Sequence, residues 1–278
     1  MEENLLKNNL LEIKDNDFEV SNKALNKLTD SMLYNIGNTD AELRDELIYT
    51  TFYKWIIEKE YYSHKELKNI FNTVLDDNHL FYKLGNSGDD SVFQRSFSAL
   101  LIAILIARHN KDNYLEDDEC EYLINRFFDY YQNEKDHRGY VLGKGWAHSA
   151  AHGADVLDEL AQSDFVNRYD LLNILELIKG KIFINDYVYK NEEDERMVTA
   201  TVTVIKNEKI SNDDLKEWLK SFKDFEMPAE YYIYHKLITN IKSFLRSLYF
   251  RIIDNKEHYI TKDILLEVIH KINKFRDN

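Results

Sequence analysis

With 278 residues, 44% of them hydrophobic and 13% aromatic, the chain has ample apolar material for a packed core and is not a disordered polymer. A net charge of −14 argues against nucleic-acid and anionic-membrane partners, since both require clustered cations. One proline and eight glycines are too few turn-formers for a sheet-rich protein, so the composition predicts an all-α fold with short polar loops.

Cys120 is the single cysteine, so no intramolecular disulfide can form, and a reducing compartment is the natural one. Its neighbours Asp118, Glu119 and Glu121 would raise the thiol pKa and argue against a nucleophilic role. The acidic start, Met1-Glu2-Glu3-Asn4, lacks the basic and apolar regions of a signal peptide. The longest apolar run, 99–107, is nine residues, against roughly 20 needed to span a bilayer. A soluble, cytoplasmic protein is expected.

In chain order, Leu5, Leu6, Leu10, Leu11 and Ile13 have helical spacing, as do Ala24, Leu25, Leu28, Met32, Leu33 and Ile36. Asp40 is placed to cap a helix through Leu43, Leu47, Ile48, Phe52, Trp55 and Ile56. Ser63-His64-Lys65-Glu66 reads as a capping box for the next helix. Residues 85–90 are the clearest loop, and from Ser91 runs a helix apolar nearly all round, hence central. A helix from about Glu116 to Tyr131 follows, then a turn at 136–139. Helical spacing resumes at Leu171, Leu172, Leu175, Ile178 and Ile182. Residues 196–206 have the β-branched content of a strand and are taken as helix from context. Ser211 is a cap, Pro228 suits the start of a long helix through Ile253, and Thr261 is placed to cap the last, which runs to Arg276.

The stretch 145–160 carries the most distinctive chemistry. Read as one helix, it sets His148, His152 and Asp155 at roughly 0°, 40° and −20° on the helical wheel, with Trp146 among the packing residues opposite. Two imidazoles at His-x3-His spacing with a nearby carboxylate are donors that zinc or another divalent ion would accept. A metal-free polar pocket and a purely structural hydrogen-bond network are the other readings. The Glu134/His137 and Glu267/His270 pairs are discounted as chance matches in an acidic chain, and Tyr49, Tyr53, Tyr61 and Tyr62 as hairpin packing.

Similar helices recur around Arg44, Arg95, His148, Arg196 and Arg246, at spacings of 51, 53, 48 and 50 residues. A helical hairpin with its loops occupies about 40 to 50 residues in HEAT and armadillo arrays. The expected architecture is therefore a single α-helical repeat domain, 1–278, a right-handed superhelical stack of hairpins forming an α-solenoid. Its inner side would carry Arg44, Arg95, His148, His152 and Arg196, with Arg246 a further candidate; Asp45, Trp146 and Asp155 complete the candidate ligand-binding set. Each Arg either braces neighbouring repeats through a local acid or helps to hold an anion.

The segments Leu43-Arg44-Asp45-Glu46, residues 92–98, Gly145-Trp146-Ala147-His148 with His152 and Asp155, and residues 193–196 resemble an uncharacterised bacterial family, domain of unknown function twenty-seven eighty-five. The resemblance spans about residues 40 to 200 and implies a helical domain in which these segments belong together; it implies no activity. The residues suggest a binding groove for a protein segment or small anionic molecule. The alternatives are a metal-assisted or acid–base hydrolase working in the same groove, with His148, His152 and Asp155 around a divalent ion such as zinc, and a structural interaction scaffold.

Overall fold

A computed structural model describes residues 2–253 and 259–275. It is mostly helical, with two short strands among the described residues, so the all-α fold class holds. The chain divides into two compact units, 1–156 and 157–278.

The first unit contains α1 (Glu3–Asp15), α2 (Asn22–Tyr34), α3 (42–58), α4 (His64–Val74), α5 (Ser91–Asp112), α6 (Asp117–Asn133), strands β1 (Tyr140–Val141) and β2 (Gly145–Trp146), and the start of α7 (Ser149–Gln162). Two π-helical segments, Glu42–Tyr49 and Lys54–Glu58, flank an α turn in α3. α1 packs on α3, α3 on α5, and α2 on α4. α6 is tied to α4 through Lys68–Glu119 at 2.7 Å and Arg126 Nε donating to the Leu75 carbonyl at 3.3 Å. Sequence neighbours pack as well: α1 touches α2, and α4 lies against α5. α5 is the core. Nearly all of its residues from Ser91 to Ile106 are buried, and although it is long and apolar enough to cross a membrane, 89% of its most apolar window is buried in protein.

The second unit holds the rest of α7, α8 (Arg168–Ile182), α9 (Glu193–Lys206), α10 (Asn212–Lys220), α11 (Tyr231–Ile252) and α12 (Tyr259–Ile272). α9 packs on α11, and α10 lies between α8 and α12. Trp218 Nε1 donates to the Leu175 carbonyl at 3.0 Å, and Phe222 stacks on Phe244 at 5.7 Å.

Local capping signals explain several element starts. Ser63 with Glu66 and Ser211 with Asp214 form capping boxes, and the Asp40 carboxylate accepts from the Leu43 N–H at 3.2 Å. The β-branched run in α9 stays helical because Val198, Val202 and Val204 are buried while Thr199, Thr201 and Thr203 turn their hydroxyls back to carbonyls four residues earlier. Two expected starts are corrected. Pro228 lies three residues before α11, with a bend at Ala229 and Glu230 between, and Thr261 sits inside the first turn of α12. α12 ends at Ile272, and Arg276 lies outside the described residues.

Candidate functional site

The stretch 145–160 is not one helix. Three of the chain's eight glycines, Gly139, Gly143 and Gly145, fall within seven residues. Gly143 and Gly145 have φ of 77° and 79°, left-handed values that L side chains resist; the chain reverses at residues 142–144, and Gly145 opens β2 opposite Val141. Tyr140 and Trp146 are cross-strand partners with rings edge-to-face at 4.9 Å. Trp146 thus belongs to a strand and is partly exposed, instead of packing on the helix face opposite the histidines.

His148 stands before the helix, also left-handed, at φ 45°. Its N–H donates to the Arg138 carbonyl at 3.0 Å, and its own carbonyl accepts the His152 N–H at 2.8 Å, opening α7. Its imidazole is out of the helical phase that the sequence assigned to it. The ring stacks on Trp146 at 4.3 Å, and His152 meets it edge-on at 5.8 Å. His152 is buried, with Nδ1 3.2 Å from the Ser96 carbonyl and its ring edge-to-face with Phe97 at 5.0 Å. Tyr140, Trp146, His148, His152 and Phe97 therefore form a continuous aromatic ladder from the surface to α5. Asp155, half-buried a turn further along α7, adds its charge to the burial that pushes the Tyr131 hydroxyl far up. Among the described residues, no group of three His, Cys, Asp or Glu is gathered as a metal site.

Arg44 supports the hairpin from beneath. Fully buried between the rings of Phe93 and Phe97, at 4.3 and 4.6 Å, it donates from Nη1 to the Asn38 carbonyl at 2.5 Å. Nη2 reaches the carbonyls of Lys144 at 2.8 Å and Trp146 at 3.4 Å, and the Asp45 carboxylate at 3.2 Å. Burial lowers the Arg44 pKa against the pull of Asp45. Burial likewise pushes the Asp45 carboxyl up to about 6, with Arg44 pulling the other way. Gly145 permits this approach: a Cβ there would sit 2.7 Å from the Ala41 Cβ and 3.3 Å from Asp45 Oδ2.

Arg95 is saturated. Nε and Nη2 grip Glu134 at 2.5 and 2.9 Å, Nη1 donates to the carbonyls of Tyr82 and Lys83 and to Ser91 Oγ, and Nη2 also reaches the Asn86 carbonyl. All five N–H donors are engaged, so Arg95 acts as a brace and has nothing left to offer an anion. Arg196 belongs to the second unit, exposed on the first turn of α9, where its charge faces Asp158. The five marks are not equivalent. Arg44 and Arg95 are buried, Arg196 and Arg246 are exposed, and Arg246 lies past the middle of α11.

A family model described as Protein of unknown function (DUF2785) matches residues 80–250. The chain belongs to that family. No curated protein and no solved structure matches the chain. The family match takes in α5 through nearly all of α11 and the whole aromatic ladder, and extends beyond the residue-200 limit read from the sequence. Arg44 and Asp45 lie outside it.

Two residues of this region were passed over in the sequence. Glu134, discounted there, is the buried partner of Arg95. Asp136 accepts from the Gly88 N–H at 2.9 Å and from Arg138 Nε at 2.8 Å, tying the 85–90 loop to the approach of β1. The density of glycines was the available signal for the hairpin. The Arg95–Glu134 pairing, 39 residues apart, left no local mark. Cys120 is buried beside His109 at 3.7 Å, and its thiol is pushed up to about 11, first by burial and then by Asp117, Glu119 and Asp118.

Proposed function

We propose that this protein is a helical-repeat binding module that captures a protein segment on the β1–β2 hairpin. The carrying observation is the exposure of Leu142 (91%), Tyr140 (53%) and Trp146 (38%) on a rigid hairpin anchored from below by Arg44 and backed by the histidine ladder. Exposed aromatic side chains held by a stiff support are the anchors from which protein interfaces gain most affinity. A protein segment fits better than a small anion, because Arg44 and Arg95 are engaged within the fold and Asp45 stands beside the hairpin.

The repeat architecture is part of the proposal. Within each unit, polar contacts join residues about one hairpin apart: Arg126 with Leu75 (51 residues) and Gly88 with Asp136 (48) in the first, Asn240 with Tyr187 (53) and Ser247 with Glu195 (52) in the second. A stack of hairpins, each touching its neighbours, produces such offsets, which supports a HEAT/armadillo-like α-solenoid within each unit; a single repeat domain over 1–278 is the extension of that proposal. A cytoplasmic location agrees with the lone buried thiol.

The test is to pan a displayed random-peptide library against the full chain and against a Trp146→Ala/Leu142→Ser variant. Peptides enriched on the first and lost on the second support the hairpin as the docking element. Equal enrichment on both overturns it.

Asp45 favours an acid–base hydrolase as the second reading, because a carboxyl near pH 6 exchanges protons readily at neutral pH. Hydrolysis of a chromogenic ester panel that vanishes in Asp45→Asn would support it, and hydrolysis indifferent to that change would sink it. Zinc loading of the protein beside His148→Ala and His152→Ala, with metal analysis, tests the metal-assisted form.

A further inference from the structure

The charge of this chain is segregated. Residues 1–230 hold 27 Lys and Arg against 45 Asp and Glu, whereas residues 231–278 hold nine against five. α11 contains no acidic residue in 22 positions, in a chain with 50 acids. Its buried stripe, including Leu237, Ile241, Phe244 and Leu248, faces the core of the second unit. On the opposite side Tyr231, Tyr232, Lys242, Ser243, Arg246 and Phe250 fall within an arc of about 120°, along a helix of about 33 Å.

That face is cationic and aromatic together. Tyr231, Tyr232 and Phe250 are 69%, 62% and 71% exposed. Lys242 lies one turn from Arg246 and donates to Asn273 Oδ1 at 3.0 Å, beside the end of α12, where Lys274 covers the Tyr234 ring at 4.1 Å. None of Lys242, Arg246 and Lys274 forms an ion pair with another described residue, unlike most cations of the first unit. Burial, with the charges of Arg246 and Lys274, holds the Lys242 ammonium below its usual range, so positive charge here is not internally neutralised.

We propose that the exposed face of α11, from Tyr231 to Phe250, docks an acidic linear segment of a partner protein that carries aromatic or apolar residues between its carboxylates. Cations one turn apart match carboxylates on an extended chain, and the tyrosines and Phe250 supply the apolar contacts. The limited extent of the basic strip selects a peptide over a longer polyanion. Residues 157–230 of the same unit carry ten Lys and Arg against 17 Asp and Glu, which would repel a nucleic acid or an anionic bilayer extending past α11.

The experiment uses the full chain and a fluorescein-labelled peptide of about a dozen residues, rich in glutamate with interspersed phenylalanines, which extends over about 40 Å. Anisotropy should show saturable binding that weakens as salt rises. A glutamine version should bind at least about tenfold more weakly, and so should the acidic peptide with Lys242→Glu/Arg246→Glu. Phe250→Ser, at an exposed position, should weaken binding while leaving the melting temperature unchanged, which separates loss of the surface from loss of the fold. No binding of the acidic peptide overturns the proposal. So does binding indifferent to the charge reversal, or tighter binding of a single-stranded oligonucleotide or of vesicles containing anionic lipid.

Discussion

Two fully buried arginines meet the cost of burying a cation in different ways, and the difference sets what each mutation should do. Arg95 has a full counter-ion in Glu134, itself 1% exposed, so removing the guanidinium strands a buried carboxylate. Arg95→Met should cost about 3–5 kcal/mol in urea unfolding, and Arg95→Lys should recover little of it, because an ammonium cannot reproduce the two-pronged grip. Adding Glu134→Leu to Arg95→Met should restore much of the loss; if it restores none, the Tyr82, Lys83 and Asn86 carbonyls, not the ion pair, carry the effect. Arg44 instead relies on phenyl faces and carbonyls, with only a partial share of Asp45. Asp45 has an ordinary pKa of 3.8 and titrates near 6 in the folded chain. Between those values the native state holds a proton that the unfolded chain has released, so stability falls as pH rises from about 4 to 6 and then levels off. Asn cannot ionise, so Asp45→Asn should remove that fall. The variant should gain about 1–2 kcal/mol on the wild type at neutral pH, less than the ~3 kcal/mol expected of a fully buried carboxyl, because the side chain is a quarter exposed and water screens it. Melting curves from pH 4 to 8 on both proteins decide it: parallel curves mean that Asp45 titrates normally.

At the scale of the element, the helices were legible because period and caps are local. Ser63, Asp40 and Ser211 act where the sequence places them, and the apolar circumference of α5 does predict a central helix. The hairpin was not legible as such. His148, His152 and Asp155 match a helical face, and that period overrode the turn glycines beside it, although φ of 79° at Gly145 and 45° at His148 forbid a continuous helix through them. The same geometry makes Gly145 the most demanding position of the hairpin. Gly145→Ala should destabilise by about 1–3 kcal/mol through a strained backbone and collision with Ala41, and should loosen the hairpin from Arg44. Tryptophan emission can follow this, since Trp55 and Trp218 are buried and bonded to the Phe18 and Leu175 carbonyls, while Trp146 is open to solvent. Acrylamide should quench about one third of the wild-type emission, from Trp146, and the accessible part should shift to the red in Gly145→Ala. An unshifted spectrum with an unchanged melting point would show that the Arg44 brace tolerates a side chain at 145.

At the scale of the molecule, several polar contacts within each unit span 48 to 53 residues, but the residues that marked a similar interval in the sequence are not equivalent to one another. Arg44, Arg95, His148 and Arg196 lie at or near the starts of odd-numbered helices, but two are buried braces, one is a ring stacked on Trp146 and one is on the surface. The side-chain environments of the marks diverge: Arg44 and Arg95 reach partners 100 and 39 residues away, which no local pattern records, while His148 stacks on Trp146 two residues before it. The proposed stack of hairpins has a consequence for how damage spreads. If stability is a sum of hairpin terms and interfaces between adjacent hairpins, Arg95→Met should raise amide exchange in α5, in α6 and in the loop at 82–90, all of which its side chain ties together. Amides of α9 and α11, bound to each other through Ser247–Glu195, have no share in that brace and should keep wild-type protection. Native-state hydrogen exchange resolved by mass spectrometry separates the outcomes. Protection lost evenly from α5 to α11 would mean that the helices open as one cooperative body, and the picture of stacked, separately stabilised hairpins would fail.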